Sequence, residues 1–571
     1  MQKIISIIVV ALLSTQSFAY GPVQGDECND PKYAYAGANS FSTLSATPSF
    51  PEPDDAMCAG TSLEWNASSD IWFEFVPTSS GLHTFTTCDV TSYDTSIVLY
   101  ESTCSNQVAC NGDGPGSTGC QSYYSAIEYY LSDGITYYIR IGGWQGAVGE
   151  GTLSIDPGSG GGNNIWYVDI DNTNPGSGTD WASAFTDVQD ALDVAVIGDQ
   201  IWIAEGTYLP SDTAGSSDPR EASFRLSDGV EMYGGFMGNE LDIDERRPTQ
   251  FRVFLLGDLN DDDQTGGDNS ENAYHVVTAE GISTASPILD GVYVKGGNAN
   301  GSGSNKYGGG IIVTSSGGVI PVPCIVRSCR ISNNAASVGG AVATHSSLDS
   351  ILMNRCVLVN NKADYGGAIG NVGFCKIDNM LIFANQAESK GGAIYNAGQS
   401  FDSINSTIVQ NNAGSIGGIY SEFSALQSTN TILWGNTDDF GDNAQFYATA
   451  WSGNYNCIQF LDQNLGGIGN IGVHPRFLDE FGGDGLPGTG DENFSLLQLS
   501  PCIDAGDTTL VSSPKDLDGN ARVVDDPYTP DTGVPPSSGG PVVDMGAYEH
   551  AYGSNDIWIW SGFNSDYFYD Q

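Results

Sequence analysis

Positive charge is scarce in this chain. Its 571 residues hold 19 Lys and Arg against 69 Asp and Glu, a formal net charge of −50, with only five His. So acidic a surface repels nucleic acid and anionic bilayers, which excludes partners held through phosphate contacts. Long apolar runs are scarce too. The one at Ile4–Leu13, behind Lys3, is about ten residues, too short to cross a bilayer core of roughly 30 Å as a helix. With Ser17-Phe18-Ala19 behind it, residues 1–19 read as a secretory signal peptide, and Tyr20 in place of Cys argues against a lipid anchor there. No later stretch could serve as a transmembrane helix, so the mature chain is expected to be secreted or held at the cell surface. No CxxC occurs and the His residues (83, 275, 345, 474, 550) are scattered, which speaks against zinc. No GxSxG occurs, which removes one signature of nucleophilic catalysis.

Glycine, by contrast, is plentiful. With 74 Gly and charged residues at only 15%, the composition favours turn-dense β-structure over helix. Twelve cysteines in an exported chain should mostly be oxidised. Six crowd into 28–120, where Cys104 and Cys110 are expected to close a small disulfide loop; six more are spread over 324–502. Among these, Cys329 and Cys356 hold the same place in successive repeats and are expected to be stacked neighbours, bridged or simply buried.

The chain divides by pattern. Residues 20–156 carry short alternating strands such as DIWFEFVP, TSIVLYES and TYYIRIGGW between Gly, Asp, Ser and Pro turns, as an antiparallel β-sandwich would. A Gly/Ser linker stands at 157–164. Within 181–196 (WASAFTDVQDALDVAV), Phe185, Val188, Leu192 and Ala195 keep helical spacing, and a helix there would cap the first coil of a repeat array. From 165 to 550 two phrases alternate. One is a glycine pair followed by small or apolar residues (Gly339-Gly340-Ala341-Val342, Gly366-Gly367-Ala368-Ile369, Gly391-Gly392-Ala393-Ile394). The other ends in Asn (CRISNN, CVLVNN, MLIFAN, TIVQNN, TILWGN). Counting the last Asn of each gives Asn334, Asn361, Asn385, Asn412 and Asn436, at steps of 27, 24, 27 and 24. Such a period predicts a parallel β-helix, with the Asn side chains stacked as a ladder at one bend and the glycines at another. Residues 551–571 form an aromatic tail (GSNDIWIWSGFNSDYFYDQ within 553–571) that would cap the last coil or lead into further chain.

Several stretches resemble known families. Trp72-Phe73-Glu74-Phe75, Tyr93-Asp94-Thr95-Ser96-Ile97-Val98-Leu99-Tyr100 and Gly134-Ile135-Thr136-Tyr137-Tyr138-Ile139 resemble the bacterial pre-peptidase C-terminal domain, a jelly-roll-like accessory module linked to substrate or calcium binding. The GGAI and Asn-terminated phrases resemble polymorphic outer-membrane protein repeats, which are β-helical adhesins. IWYVDIDNTNPGSGTDWASAFTDVQDAL, GDQIWIAEGTY, MYGGFMG, SPCIDAGD, DLDGNAR and VDMGAYE resemble choice-of-anchor-Q proteins. That resemblance implies a right-handed β-helix of the pectin-lyase type on an exported surface protein, and no particular reaction. The expected fold class is thus all-β: an N-terminal sandwich, then a right-handed parallel β-helix with a helical cap.

Candidate chemistry is mostly acidic. In GDLNDDDQTGGDNSEN, Asp258, Asn260 and Asp262 fall at positions 1, 3 and 5 of a calcium-loop pattern, and Asp268 or Glu271 would complete an oxygen cage. Position 6 is Asp263 where an EF-hand has Gly, and position 12 is Asn269 where it has Glu. Asp484 with Asp491 and Glu492, and Asp516 with Asp518 and Asn520, are further cation candidates, weighed against the ordinary use of Asp and Asn in turns. For acid–base chemistry the coils offer only Asp364 and Glu388 with Lys362 and Lys390, a set equally at home on a solvated corner. No carboxylate or Arg/Lys cluster on one coil face is legible. Trp434, Tyr395 and Tyr420 are candidates for a sugar-stacking strip. The expected function is structural or adhesive, binding extracellular polysaccharide or surface proteins, with calcium as the one cofactor considered. The alternative is a polysaccharide lyase or glycoside hydrolase with an accessory binding module.

Overall fold

The computed structural model describes residues 24–550 except 59–64, 66–67, 78–80, 88–92, 114–123, 133–134, 158–163, 264–267, 284, 316–320, 440–443, 462–465 and 537–538. The signal peptide, most of the linker and the aromatic tail lie outside the described residues. Two units separate at Ser159/Gly160.

In the N-terminal unit, alternation along each strand sorts side chains to two faces. A five-stranded sheet runs in the order Lys32–Tyr33, Ile71–Phe75, Tyr137–Gly143, Thr95–Glu101, Gln107–Asn111. A four-stranded sheet runs Gly37–Ser42, Glu150–Pro157, Gly81–Thr86, Ala126–Leu131. All pairings are antiparallel except that of the short Lys32–Tyr33 with Ile71–Phe75. Phe73, Phe75, Phe85, Leu99, Ile139 and Leu153 form the shared core. Trp72, Val98 and Tyr100 point the other way and pack with Trp65 and Cys58. There Arg140 is buried, paired with buried Asp70 at 2.9 Å, with its guanidinium 4.9 and 5.0 Å from the Trp65 and Trp72 rings.

The disulfides on this side are Cys28–Cys104 and Cys58–Cys110, with Cα separations of 6.1 and 5.7 Å. The expected Cys104–Cys110 loop is therefore wrong. Cys104 sits in the turn before the strand Gln107–Asn111. A strand rises roughly 3.3 Å per residue, so the chain carries Cys110 beyond the ~7 Å Cα reach of a disulfide. The expectation of general oxidation also fails in the second unit, where Cys324, Cys329, Cys356, Cys375, Cys457 and Cys502 are free and buried.

The second unit is the coil stack. A single coil is read most easily from Ser350: strand Ser350–Asn354, bend, strand Val357–Val359, bend, strand Lys362–Tyr365, bend, strand Ile369–Asn371, and then Phe374–Asp378 of the next coil. Every strand pairs in parallel with its counterpart one coil on, as Leu358 with Ile382, Ile382 with Ile408 and Ile408 with Leu433. Inward residues at these positions join one continuous core running from Val168 to Ile458. The helix closing the first coil is shorter than the sequence pattern, Val188–Val194. Asp187 caps it by accepting from the Gln189 N–H, and Val188, Ala191 and Leu192 are buried. Phe185 lies outside the helix, bridged to Val168 in extended form.

Each bend has its own chemistry. The Asn ladder is real, and its members are Asn334, Asn361, Asn385, Asn411 and Asn436. Each Nδ2 donates to the Oδ1 of the next, at 3.1, 3.0, 3.0 and 2.9 Å. Asn412 is therefore a misassignment by one residue: it pairs in register with Gln386, outside the ladder. The double Asn at 411–412 hid the phase. The residue before each ladder Asn takes the left-handed conformation (Asn333, Asn360, Ala384, Gln410, Gly435; φ 55°, 57°, 54°, 55°, 67°), which turns the chain and frees the Asn to face inward. At the glycine bend, a Cβ on Gly367 would stand 2.2 Å from the Gly392 oxygen, so coil spacing itself demands glycine there. The preceding left-handed position is Gly339, Gly366 and Gly391, and then Ile416 at φ 58°.

The stack ends with Cys457–Ile458 and a bridge from Cys457 to Ile471. Beyond this the described chain adds no coil; it folds back along the outside. On the strands Val357–Val359, Leu381–Phe383, Thr407–Val409 and Ile432–Trp434 the outward residues are apolar as well. Val357, Val359, Leu381, Phe383, Val409 and Ile432 form a second core with Phe477, Phe494, Leu496, Ile503 and Met545. Burying each such side chain contributes roughly 1.5–3 kcal/mol, enough to hold a segment with little regular structure of its own.

Candidate functional site

Three polar constellations emerge from this frame. The first lies on the outside of the sheet containing Ile288–Asp290 and Pro323–Arg327. Register sets Tyr233, Asp290 and Arg327 in one column. Arg246 reaches in from a loop and grips Asp290 with two N–H groups, at 3.0 and 2.9 Å, while Arg327 Nε donates to it at 2.6 Å. Arg355, one coil on, donates to Ser328 Oγ at 3.1 Å. Burial alone would raise the Asp290 carboxyl, but Arg246 and Arg327 outweigh it and hold the group below the usual carboxylate range. Asp290 is thus a fixed anion, unsuited to donating a proton near neutrality. This arginine cluster is what sequence reading did not find. Half of its signal was present, since Ser328 and Arg355 both hold the left-handed position of successive coils; Arg246 comes from a loop with no repeat to align it.

The second constellation is a column of tyrosines. Tyr395, Tyr420 and Tyr447 are register partners on three successive coils. Their ring centroids lie 6.2 and 4.9 Å apart, with planes inclined by 28° in both pairs. The coil before has Gly370 at this position, and Tyr365 leans across the glycine bend to within 5.2 Å of the Tyr395 ring. Lys390 and Glu422 complete the row. Lys390 Nζ stands 4.5 Å over the Tyr420 ring and 3.0 Å from Glu422, which also accepts from the Tyr395 hydroxyl at 2.7 Å. Hydrogen bonds from Tyr395 and Lys390 hold Glu422 below its ordinary value, and the Glu422 contact raises Lys390. Tyr365 and Tyr447 are 36% and 45% exposed and nearby Phe423 is 77% exposed, so the row meets solvent. Of the expected strip, Tyr395 and Tyr420 come together; Trp434 belongs to the strand Ile432–Trp434 on a different face. Asp364, Glu388 and Lys362 are exposed, and Lys390 pairs with Glu422 instead of with them.

The third is the acidic loop after Val253–Leu256. One carboxylate oxygen each from Asp258, Asp262 and Asp263 lies within 4.8 Å of the others. Buried Asp258 accepts from the N–H groups of Asp262 and Asp263, at 3.3 and 3.1 Å. Burial raises Asp263, Asn272 donating at 2.8 Å opposes this, and Asp258, Asp262 and Asp268 add to the rise. Asn260 is exposed, and Asp268 accepts from Ser270 N–H and Oγ at the head of a short turn, so neither joins the trio. Elsewhere the expected cation loops spend their carboxylates on backbone. Asp491 accepts from Gly483 and Asp484, and Glu492 from Gly488, Thr489 and Gly490. Asp516 accepts from Asn520 and Glu549, and Asp544 from Asp504 and His550. The closing motifs are thereby given a structural role, as staples of the fold-back. Asp504, Asp525 and Asp531 also converge within 4.8 Å.

No family model and no curated protein matches the sequence. Among solved structures, the chain is similar to the pre-peptidase C-terminal domain of a collagenase from Bacillus anthracis, at 12% identity over 22% of this chain and 94% of that one, with a TM-score of 0.15. It is also similar to the Agl-KA catalytic domain, at 12% identity over 77% of this chain and 97% of that one, with a TM-score of 0.16. At such scores neither likeness bears on activity.

Proposed function

We propose that this protein is an exported surface protein whose coil stack binds an extended, uncharged polysaccharide along the tyrosine column. The observation that carries the reading is the repetition of Tyr395, Tyr420 and Tyr447 at the same register position of successive coils. A binding element repeated by translation suits a ligand that repeats by translation, which favours a polymer over a small molecule. Ring edges, phenol hydroxyls and the Lys390–Glu422 pair offer both apolar contact and hydrogen bonding, as sugars require. The net charge of −50 disfavours acidic glycans. Glycosidic hydrolysis would need two carboxyls flanking the bond. In this row Glu422 is held as an anion, and Asp290 on the other face is locked by arginine, so binding without cleavage is the better reading.

The test is affinity electrophoresis of the full chain through gels carrying soluble neutral glucans or mannans. Retardation is expected, and the pair Tyr395→Ala, Tyr420→Ala should lose it while unfolding remains cooperative. Undiminished retardation in that variant sinks the proposal, and release of reducing ends or unsaturated products would favour the enzyme alternative.

The calcium reading of the acidic loop stands as part of the same proposal, with Asp258, Asp262 and Asp263 as the side chains that would hold the ion. Calcium accepts six to eight oxygen ligands in irregular geometry, so backbone oxygens and water would have to complete the set. At fixed ionic strength calcium should raise the melting temperature more than magnesium, and the difference should vanish in Asp258→Asn, Asp262→Asn. Equal shifts from both ions would leave only charge screening.

A further inference from the structure

At its first coil the stack is covered by the helix Val188–Val194. At the other end a sheet edge is left open. The strand Phe446–Asn454 pairs in parallel with Ile419–Thr429, and no described strand pairs with its other side. The Ile419 N–H donates to the Gln445 carbonyl at 3.0 Å, which sets the phase of the ladder. Alternate residues point the same way, so the N–H and C=O groups of Phe446 and Ala448 face the open side. Among the described residues nothing bonds to them. The core is equally unfinished there. Ile394 and Ile419, register partners one coil apart, are fully buried. Their successor Phe446 is only part-buried, as are Ala448 and Trp451. Such an edge is a template for one more strand.

The chain itself contains a matching strand. These coils write an inward apolar residue followed by an outward ring: Ile394-Tyr395-Asn396, Ile419-Tyr420-Ser421, Phe446-Tyr447-Ala448. Residues 551–571, outside the described structure, include Ile559-Trp560-Ser561-Gly562-Phe563-Asn564. Set beside Ile419-Tyr420-Ser421-Glu422-Phe423-Ser424, this stretch repeats Ile, Ser and Phe at the same places, with Trp for Tyr. Isoleucine and tryptophan also suit strands. The distance is within reach. His550 Nδ1 is 3.1 Å from the Leu496 carbonyl, and Leu496 pairs with Phe477. The His474 ring lies 6.4 Å from that of Phe477 and 5.0 Å from that of Trp434, whose coil leads directly into Phe446. Residues 551–558 can span roughly 26–29 Å when extended, against about 10 Å between packed sheets.

We propose that residues 559–564 pair in parallel with Phe446–Asn454 as the next strand, Ile559 over Phe446, Trp560 over Tyr447 and Ser561 over Ala448. Ile559 then covers the open core, and Trp560 lengthens the tyrosine column by one ring. A second copy of the chain is a poorer occupant, because two bodies of charge −50 repel each other. A strand on the same chain is present at high effective concentration. The pairing stands whether or not the column binds a glycan.

The experiment is hydrogen exchange on the full chain, read by mass spectrometry for the amides of Phe446 and Ala448. Both should be protected, to an extent independent of protein concentration. Ile559→Asp, which sets a charge against the core, should speed their exchange at least about tenfold; Phe568→Asp, outside the matched stretch, should not. Thermal melts identify a variant that has misfolded, and in that event crosslinking decides. Tyr447→Cys with Trp560→Cys should close a disulfide under air oxidation, and Tyr447→Cys with Tyr567→Cys should not. Unprotected Phe446 and Ala448 amides in the parent, protection that folded Ile559→Asp leaves unchanged, an equal effect of Phe568→Asp, or failure of the first cysteine pair to close overturns the inference. Protection that rises with concentration overturns it too, in favour of a second copy.

Discussion

Replacing Asn385 by Leu tests the architecture at its most specific point. The Asn385 amide donates to the carbonyls of Leu358 (2.9 Å) and Phe383 (3.0 Å) and to Asn411 Oδ1 (3.0 Å). Its oxygen accepts from Asn361 N–H and Nδ2, both at 3.0 Å. Leucine has similar volume and none of these groups. Asn361 Nδ2 keeps two other acceptors, the carbonyls of Ile331 and Val359. The Asn361 backbone N–H loses the acceptor it has in the ladder, in the buried interior. One orphaned buried donor costs about 1–3 kcal/mol, and the remaining lost bonds add about 1 kcal/mol or more, so a total of roughly 3–5 kcal/mol is expected. That is a large share of the ~5–15 kcal/mol by which native domains are stable. Urea unfolding followed by far-UV circular dichroism would show it as a lower midpoint of the coil-stack transition. Asn411→Leu should cost about as much. Asn412→Leu should cost less than about 1 kcal/mol, because among the described residues the Asn412 side chain bonds only to exposed Thr437. If Asn412→Leu proves as damaging as Asn411→Leu, or if Asn385→Leu costs under about 1 kcal/mol, the ladder and its phase are both mistaken.

Other consequences are equally open to measurement. Ile416 occupies a left-handed position filled by glycine in the three preceding coils, so Ile416→Gly should stabilise by about 0.5–1 kcal/mol after the entropy of glycine is subtracted; a lower denaturation midpoint would contradict this. The six second-unit thiols are buried, and burial pushes Cys324 up to about 12, so maleimide should label none of the six until the stack unfolds. Peptide mapping of the first unit should recover Cys28 with Cys104 and Cys58 with Cys110, and free Cys104 would contradict the fold there. Asp290 is depressed in the folded state, so its contribution exists above the unfolded carboxylate value near pH ~4 and is lost as pH falls through the lower folded value. Arg327→Met lessens that depression, Arg246 staying in place; the variant should be less stable than the parent at pH 7, with the gap narrowing below about pH 4. A gap independent of pH would show that Arg327 acts through packing alone.

The sequence by itself determined the coil. Glycine pairs and Asn-terminated phrases recur at nearly constant spacing because each coil is the template for the next, and close stacking tolerates only glycine at positions such as Gly367. It also determined the two units and the capping role of Val188–Val194, whose apolar spacing has no purpose without a stack to cover. Phase was less secure: Asn411-Asn412 offers two candidates, and only the left-handed backbone at Gln410 shows which one turns inward. Disulfide partners were not legible, since Cys28 and Cys104 are 76 residues apart and meet through sheet pairing. Nor was the fold-back, because Val359, Phe383 and Val409 read like ordinary strand residues until Phe477 and Phe494 are seen against them. The candidate sites divide along the same line. Tyr395 and Tyr420 could be aligned from the repeat, whereas Arg246 meets Asp290 only through a loop. A repeat fixes what lies one coil away, because translation is written in the spacing; what a loop or a returning chain brings to the surface depends on closure in three dimensions, and that the tertiary structure alone decided.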